Sequence, residues 1–145
     1  MAWEELHETG GIYLNDPQTG ERVGLAGNPR SYFQKEYPQL QLPEEFGESG
    51  WWNRPFEGEE ERMARAQRFL AQLLARHGNC SDRVAVISHA GFYNRFLAAI
   101  LGLERRTPIW FSLNNTGITR IDYAQGEMSM VYSNQLQHLP HEMVT

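Results

Sequence analysis

The segment Ser88-His89-Ala90-Gly91 is the part of this sequence best equipped for chemistry. It follows the apolar run Val84-Ala85-Val86-Ile87 and precedes a stretch with helical spacing, so His89 is expected where a buried strand gives way to a helix. A histidine at such a turn faces the crevice at the carboxyl end of a sheet, and the helix N-terminus beside it offers unpaired N–H groups to an anion. The small residues Ala90 and Gly91 let a ligand come close to that backbone. The competing reading is that His89 caps the helix and does nothing more. Arg54, beside Trp51 and Trp52, is placed to reach an anionic substrate, and the two tryptophans either shape an apolar pocket or pack their loop onto the domain. Arg62, Arg65 and Arg68 recur every three residues and are expected to pair with the preceding glutamates on a solvated helix face.

Other chemistries find no support. His7-Glu8 lacks the second histidine four residues after the first that a zinc helix requires, and His138 with His141 has no cysteine partners nearby, so no metal site and no cofactor are expected. Gly20, Gly24 and Gly27 do not have dinucleotide-binding spacing. The 13 basic and 18 acidic side chains leave a net charge of −5, which argues against nucleic acid, since that binding rests on Lys and Arg neutralising phosphates. No apolar run approaches the roughly 18 to 20 residues of a membrane span. The acidic start Met1-Ala2-Trp3-Glu4-Glu5 is unlike a secretory signal, and there is a single cysteine, Cys80; both point to a soluble protein of the cytoplasm.

The elements that must position these residues fall into two parts of one domain spanning residues 1–145. Residues 10–58 hold eight of the 13 glycines and five of the seven prolines, so regular structure there must be short. One helix is expected, with Asn28 as N-cap and Pro29 at its first position, ending before Pro38. The stretch is too aromatic for a disordered linker and is expected to be an ordered lid that sets specificity. Residues 59–145 are regular. Met63, Ala66, Phe69, Leu70, Leu73 and Leu74 predict a helix from Glu59 to His77 with acid at its start, Arg76 and His77 at its end, and Gly78 as a left-handed stop. A strand at 84–88, a helix at 92–101 stopped by Gly102, and two strands at 117–123 and 127–134 follow. The order implies an α/β layered domain.

The run from Val84 to Leu97, Val-Ala-Val-Ile-Ser-His-Ala-Gly-Phe-Tyr-Asn-Arg-Phe-Leu, resembles the second histidine motif of the histidine phosphatase superfamily, which includes the phosphoglycerate mutases. Leu6-His7-Glu8 resembles that family's leucine-any-glutamate signature, and Leu113-Asn114-Asn115-Thr116-Gly117 its asparagine-containing turn into a late strand. The resemblance implies a three-layer α/β/α sheet and hydrolysis of phosphate monoesters through a phosphohistidine, without metal. His89 would be the second histidine and Glu8 the acid that protonates the leaving oxygen. Ala90, through its N–H, and Asn115 would line the phosphate pocket, with Arg54 as a further contact. On residues alone, Glu8 is equally a solvated carboxylate beside Glu4 and Glu5.

The family nucleophile, in an Arg-His-Gly turn on a central strand ahead of the glutamate, has no counterpart between Met1 and Glu8. Arg76-His77-Gly78 spells the motif but follows a helical pattern and is assigned to a helix end. The expectation is therefore a domain lacking its first, central strand, catalytically incomplete as it stands. Marginal stability, a homo-oligomer or partner chain that covers the gap, or a start lying further upstream is expected, with a small phosphorylated metabolite or phosphate as the ligand. The alternative is a non-catalytic anion-binding or interaction module that keeps the second-histidine pocket.

Overall fold

The computed structural model describes residues 1–103 and 108–144. Its core forms where two amphipathic helices face each other. Helix α2, Glu59–His77, buries Met63, Ala66 and Phe69 along one stripe, and helix α3, Ala90–Ile100, buries Phe92, Leu97 and Ala98. Ala66, Phe69 and Phe92 make the centre, flanked by Trp3, Leu6, Leu73 and Phe96. The rings meet edge to face, with Phe69 5.6 Å from Phe92 and 5.2 Å from both Phe96 and Trp3, the arrangement aromatic quadrupoles favour. At the start of α2 the Glu61 carboxylate accepts the Gly58 N–H at 2.8 Å, supplying the capping interaction that the glutamate-rich first turn predicts.

Ahead of α2, residues 10–58 contain a short antiparallel pair, β1 (Tyr13–Asn15) with β2 (Arg22–Gly24), and helix α1, Arg30–Glu36. Pro29 is the N-cap of α1 rather than its first residue, one position later than expected. After α3 comes the antiparallel hairpin β3 (Ile118–Ala124) and β4 (Glu127–Gln135). Its two-residue turn, Gln125-Gly126, has φ of +53° and +88°, the doubly positive geometry that follows the twist of the strands. Tyr93 ties α3 to this hairpin through its hydroxyl, 2.8 Å from Ser133 Oγ and 3.1 Å from Thr119 Oγ1. No helix among the described residues is long and apolar enough to cross a membrane.

Two expectations are corrected. Gly78 ends α2 at φ −67° and ψ −20°, in the right-handed region, so the helix stops without a left-handed residue; a side chain there would press on the Tyr123 ring, 3.2 Å from the added carbon. More consequentially, residues 84–88 form no strand. The described residues carry two separate two-stranded sheets, a mixture of helices and small sheets. The physical reason is that a strand needs a neighbour for its N–H and C=O groups, and among the described residues none pairs with this run. Ile87 is 89% exposed and Val84 46%, although their composition is that of a covered strand.

In hydrogen exchange of the isolated chain, the amides of Val84, Val86 and Ile87 are expected to exchange with little protection, while those of Met63, Ala66 and Phe69 exchange slowly. Protection at 84–87 comparable to that in α2 would mean that the run is paired in solution.

Candidate functional site

The site grows from the N-terminal segment, which a buried ion pair holds against α2. Arg65 is 2% exposed. Its Nε and Nη2 donate to the two carboxylate oxygens of Glu57 at 2.6 and 2.8 Å, and its Nη1 donates to the carbonyls of Glu5 and, at 3.0 Å, of His7. Glu57 also accepts the Gly10 N–H at 3.2 Å. Burial pushes the Glu57 carboxyl up, but the hydrogen bonds and charge of Arg65 outweigh it and leave the group below its ordinary range. This corrects the expectation of a solvated arginine row: Arg62 does pair with Glu59 at 3.4 Å on the surface, whereas Arg65 lies in the interior. The signal for it was Arg65's place four residues before Phe69, on the edge of the buried stripe.

Held in this way, residues 6–10 meet the lead-in to α3. Ser88 Oγ donates to the Leu6 carbonyl at 2.6 Å. Glu8 turns its carboxylate over the first turn of α3, where it accepts the Thr9 N–H at 2.6 Å and the Thr9 hydroxyl at 3.1 Å. Gly91 makes this approach possible, since a carbon added there would lie 2.3 Å from Glu8 Oε1 and 2.4 Å from Thr9 Oγ1. His89 is the N-cap of α3 by position, but its side chain makes no capping bond, and its exposed ring has no hydrogen-bond partner among the described residues.

His7, which the sequence did not single out, lies beneath. Its Nδ1 is 2.7 Å from the Glu8 carbonyl, and a carbonyl accepts, so Nδ1 carries the proton and Nε2 the lone pair. Nε2 is buried and has no partner among the described residues. Trp52 packs edge-on against the ring at 4.7 Å, and Trp51 lies at 5.7 Å. Burial, and then the charge of Arg65, push the imidazole from 6.5 down to about 4, so it is neutral at neutral pH. No signal in the sequence distinguished this histidine from a surface one.

Glu8, His89 and His7 border one cavity of about 540 Å³ whose far wall comes from residues 10–58, including Phe33, Phe46 and Trp51. The two tryptophans thus divide the roles weighed for them: Trp51 lines the cavity, and Trp52, 4% exposed, packs its loop onto the domain. Ala90 opens α3 beside His89 but is not among the residues that line the cavity. The other predicted contacts are not brought there. Arg54 lies over the Trp52 ring at 4.2 Å and borders a separate concavity with Arg22. Asn115 stands in the loop before β3, outside the cavity lining, next to Asn114, whose side chain accepts from Asn134 at 2.6 Å. His77 ends α2 and meets Asp82 at 2.8 Å. With Cys80 these two bring possible metal-binding atoms within 4.8 Å of one another, but a hydrogen bond to Asp82 raises the thiol's pKa, which disfavours the thiolate a metal would need.

The sequence model of the histidine phosphatase superfamily (branch 1) matches residues 24–136. No curated protein and no solved structure matches the chain.

Two outcomes follow from the buried groups. Glu57→Gln leaves Arg65 charged without its counter-ion and is expected to cost about 3–5 kcal/mol in denaturant unfolding. For pH the signs agree. His7 titrates lower when folded, so its contribution is complete above 6.5 and is lost as pH falls toward about 4; Glu57, also depressed, adds a loss below the ordinary carboxylate value of about 4.3. Unfolding free energies measured across this range should decline on acidification from pH 6.5 in the parent, and His7→Gln should stay flat until the carboxylates titrate.

Proposed function

The chain belongs to the histidine phosphatase superfamily, and from that premise we propose that its cavity is the acid and second-histidine portion of a phosphate-monoester site. The observation that carries this reading is the meeting of Glu8 with the first turn of α3 beside His89, a contact that requires glycine at position 91. In the proposed reaction an imidazole attacks phosphorus, the ester P–O bond breaks as the N–P bond forms, and Glu8 gives its proton to the departing oxygen. Water then attacks the phosphohistidine, giving a proton back to Glu8 as the N–P bond breaks, which releases inorganic phosphate and restores the imidazole. His89 and the Ala90 N–H would meet the charge on the transferring group, where fixed donors contribute most. Arg54, engaged with Trp52, is assigned no part in this.

The attacking imidazole is proposed to come from a strand outside these 145 residues that pairs with residues 84–88, completing a three-layer sheet with an Arg-His-Gly turn at its end. The exposed apolar face of that run supports this, as does the absence of such a turn between Met1 and Glu8. The strand would belong to the same polypeptide, a second copy or a partner chain. The runner-up is a module that binds an anion at His89 without turnover.

Calorimetry with vanadate or inorganic phosphate tests the site. Binding is expected, and His89→Ala should weaken it by about tenfold, the worth of one charge-assisted contact; binding indifferent to both His89→Ala and Glu8→Gln would overturn the assignment. The 145 residues alone should not turn over an aryl phosphate, and a phosphohistidine trapped within them would refute an external nucleophile. Fusing an opening strand with an Arg-His-Gly turn ahead of Met1 should produce turnover, and binding without turnover in that fusion would favour the module.

A further inference from the structure

Resting on that reading of the site, we infer that the ester's leaving group is an uncharged, apolar alcohol, aromatic or of comparable bulk, rather than a sugar or acid bearing a second anionic group. The cavity wall facing Glu8 and His89 is built from Ile12, Phe33, Leu40, Leu42, Phe46 and Trp51. No lysine or arginine side chain lines it, and its carboxylates are Glu4 and Glu8. A substrate with a second phosphate or a carboxylate would bring that charge against an apolar wall beside two acids, with no lysine or arginine side chain there to receive it. An apolar ring or chain leaves water there at no such cost and gains by burial. The His7 ring borders the cavity with its Nε2 buried, so it offers an anion no donor there.

The nearby arginines are engaged elsewhere. Arg65 and Arg95 are held by Glu57 and Glu59, and Arg22 and Arg54 lie over Phe56 and Trp52. Arg30 donates from Nη1 to the carbonyls of Pro43 at 2.7 Å and Phe46 at 3.1 Å. That last contact also shapes the wall, because it clamps the 43–46 loop against α1. Ser31 and Glu48 add a second tie, the carboxylate accepting the Ser31 N–H at 3.0 Å and its hydroxyl at 2.7 Å. Phe33 and Phe46 are thus set edge to face at 5.4 Å, so the aromatic wall is in place before a ligand arrives. A volume of about 540 Å³ is of the size that encloses a ring-bearing small molecule.

The test compares non-hydrolysable phosphonates by calorimetry on the 145-residue chain: methylphosphonate, naphthylmethylphosphonate and phosphonoacetate. Naphthylmethylphosphonate is expected to bind tighter than methylphosphonate by on the order of tenfold or more, from burial of the ring, and phosphonoacetate more weakly than either. Trp51→Ala and Phe33→Ala should each reduce the naphthyl-to-methyl ratio several-fold, and Leu40→Lys, which sets a cation on the wall, should raise phosphonoacetate affinity. Phosphonoacetate binding as tightly as the naphthyl compound, or a ratio that both wall variants leave intact, would overturn the inference. If the ring preference is absent while His89→Ala still weakens methylphosphonate, the substrate class alone fails. If His89→Ala changes none of the three, the phosphate site itself fails and the substrate class falls with it.

Discussion

The Glu57–Arg65 pair is the interaction on which the rest of this structure depends. A guanidinium taken out of water costs several kcal/mol unless nearly all its donors are met. Here two go to Glu57 and the third nitrogen to the carbonyls of Glu5 and His7. Those acceptors come from two places in the chain: Glu57, just ahead of α2, and Glu5 and His7 near the N-terminus. Any displacement of residues 5–10 relative to α2 would strand a buried charge, so the geometry of the N-terminal segment is imposed by electrostatics as much as by packing.

What that segment carries is the site. Glu8 and His7 are neighbours of the clamped carbonyls, so fixing the backbone of residues 5–10 fixes the carboxylate over α3 and the imidazole beneath it. Arg65 has a second effect at a distance, since its charge adds to burial in keeping His7 neutral. One buried arginine thereby orients the acid and disfavours a positive charge at the floor of the cavity. The engagement of the other nearby arginines with aromatic rings, carbonyls and carboxylates extends the same pattern, and a chain with net charge −5 shows its cavity as an apolar space edged by acids.

Much of the fold was legible in the order of residues. Helix α2 runs from Glu59 to His77 as its periodicity requires, α3 starts two residues ahead of its expected position at the histidine turn, and the hairpin strands fall within a residue of the pattern. The site was legible in part: the motif around His89 and the glutamate at position 8 pointed to the family whose model matches residues 24–136. Arg65 was read as solvated because a three-residue charge spacing is the usual sign of an exposed face, and His7 was given no role because its surroundings are assembled from distant residues.

By itself the sequence determined the helices, the hairpin turn and the family, all of which depend on contacts or spacings within a few neighbouring residues. Only the tertiary structure decided that Arg65 is buried, that His7 is neutral, that Gly91 accommodates Glu8 and that residues 84–88 stand unpaired. Each of these depends on a partner brought in from afar: Arg65 and Glu5 are 60 residues apart, and Ser88 and Leu6 are 82. Local propensity carries no information about such partners, because burial and strand pairing are properties of what lies opposite a residue in space.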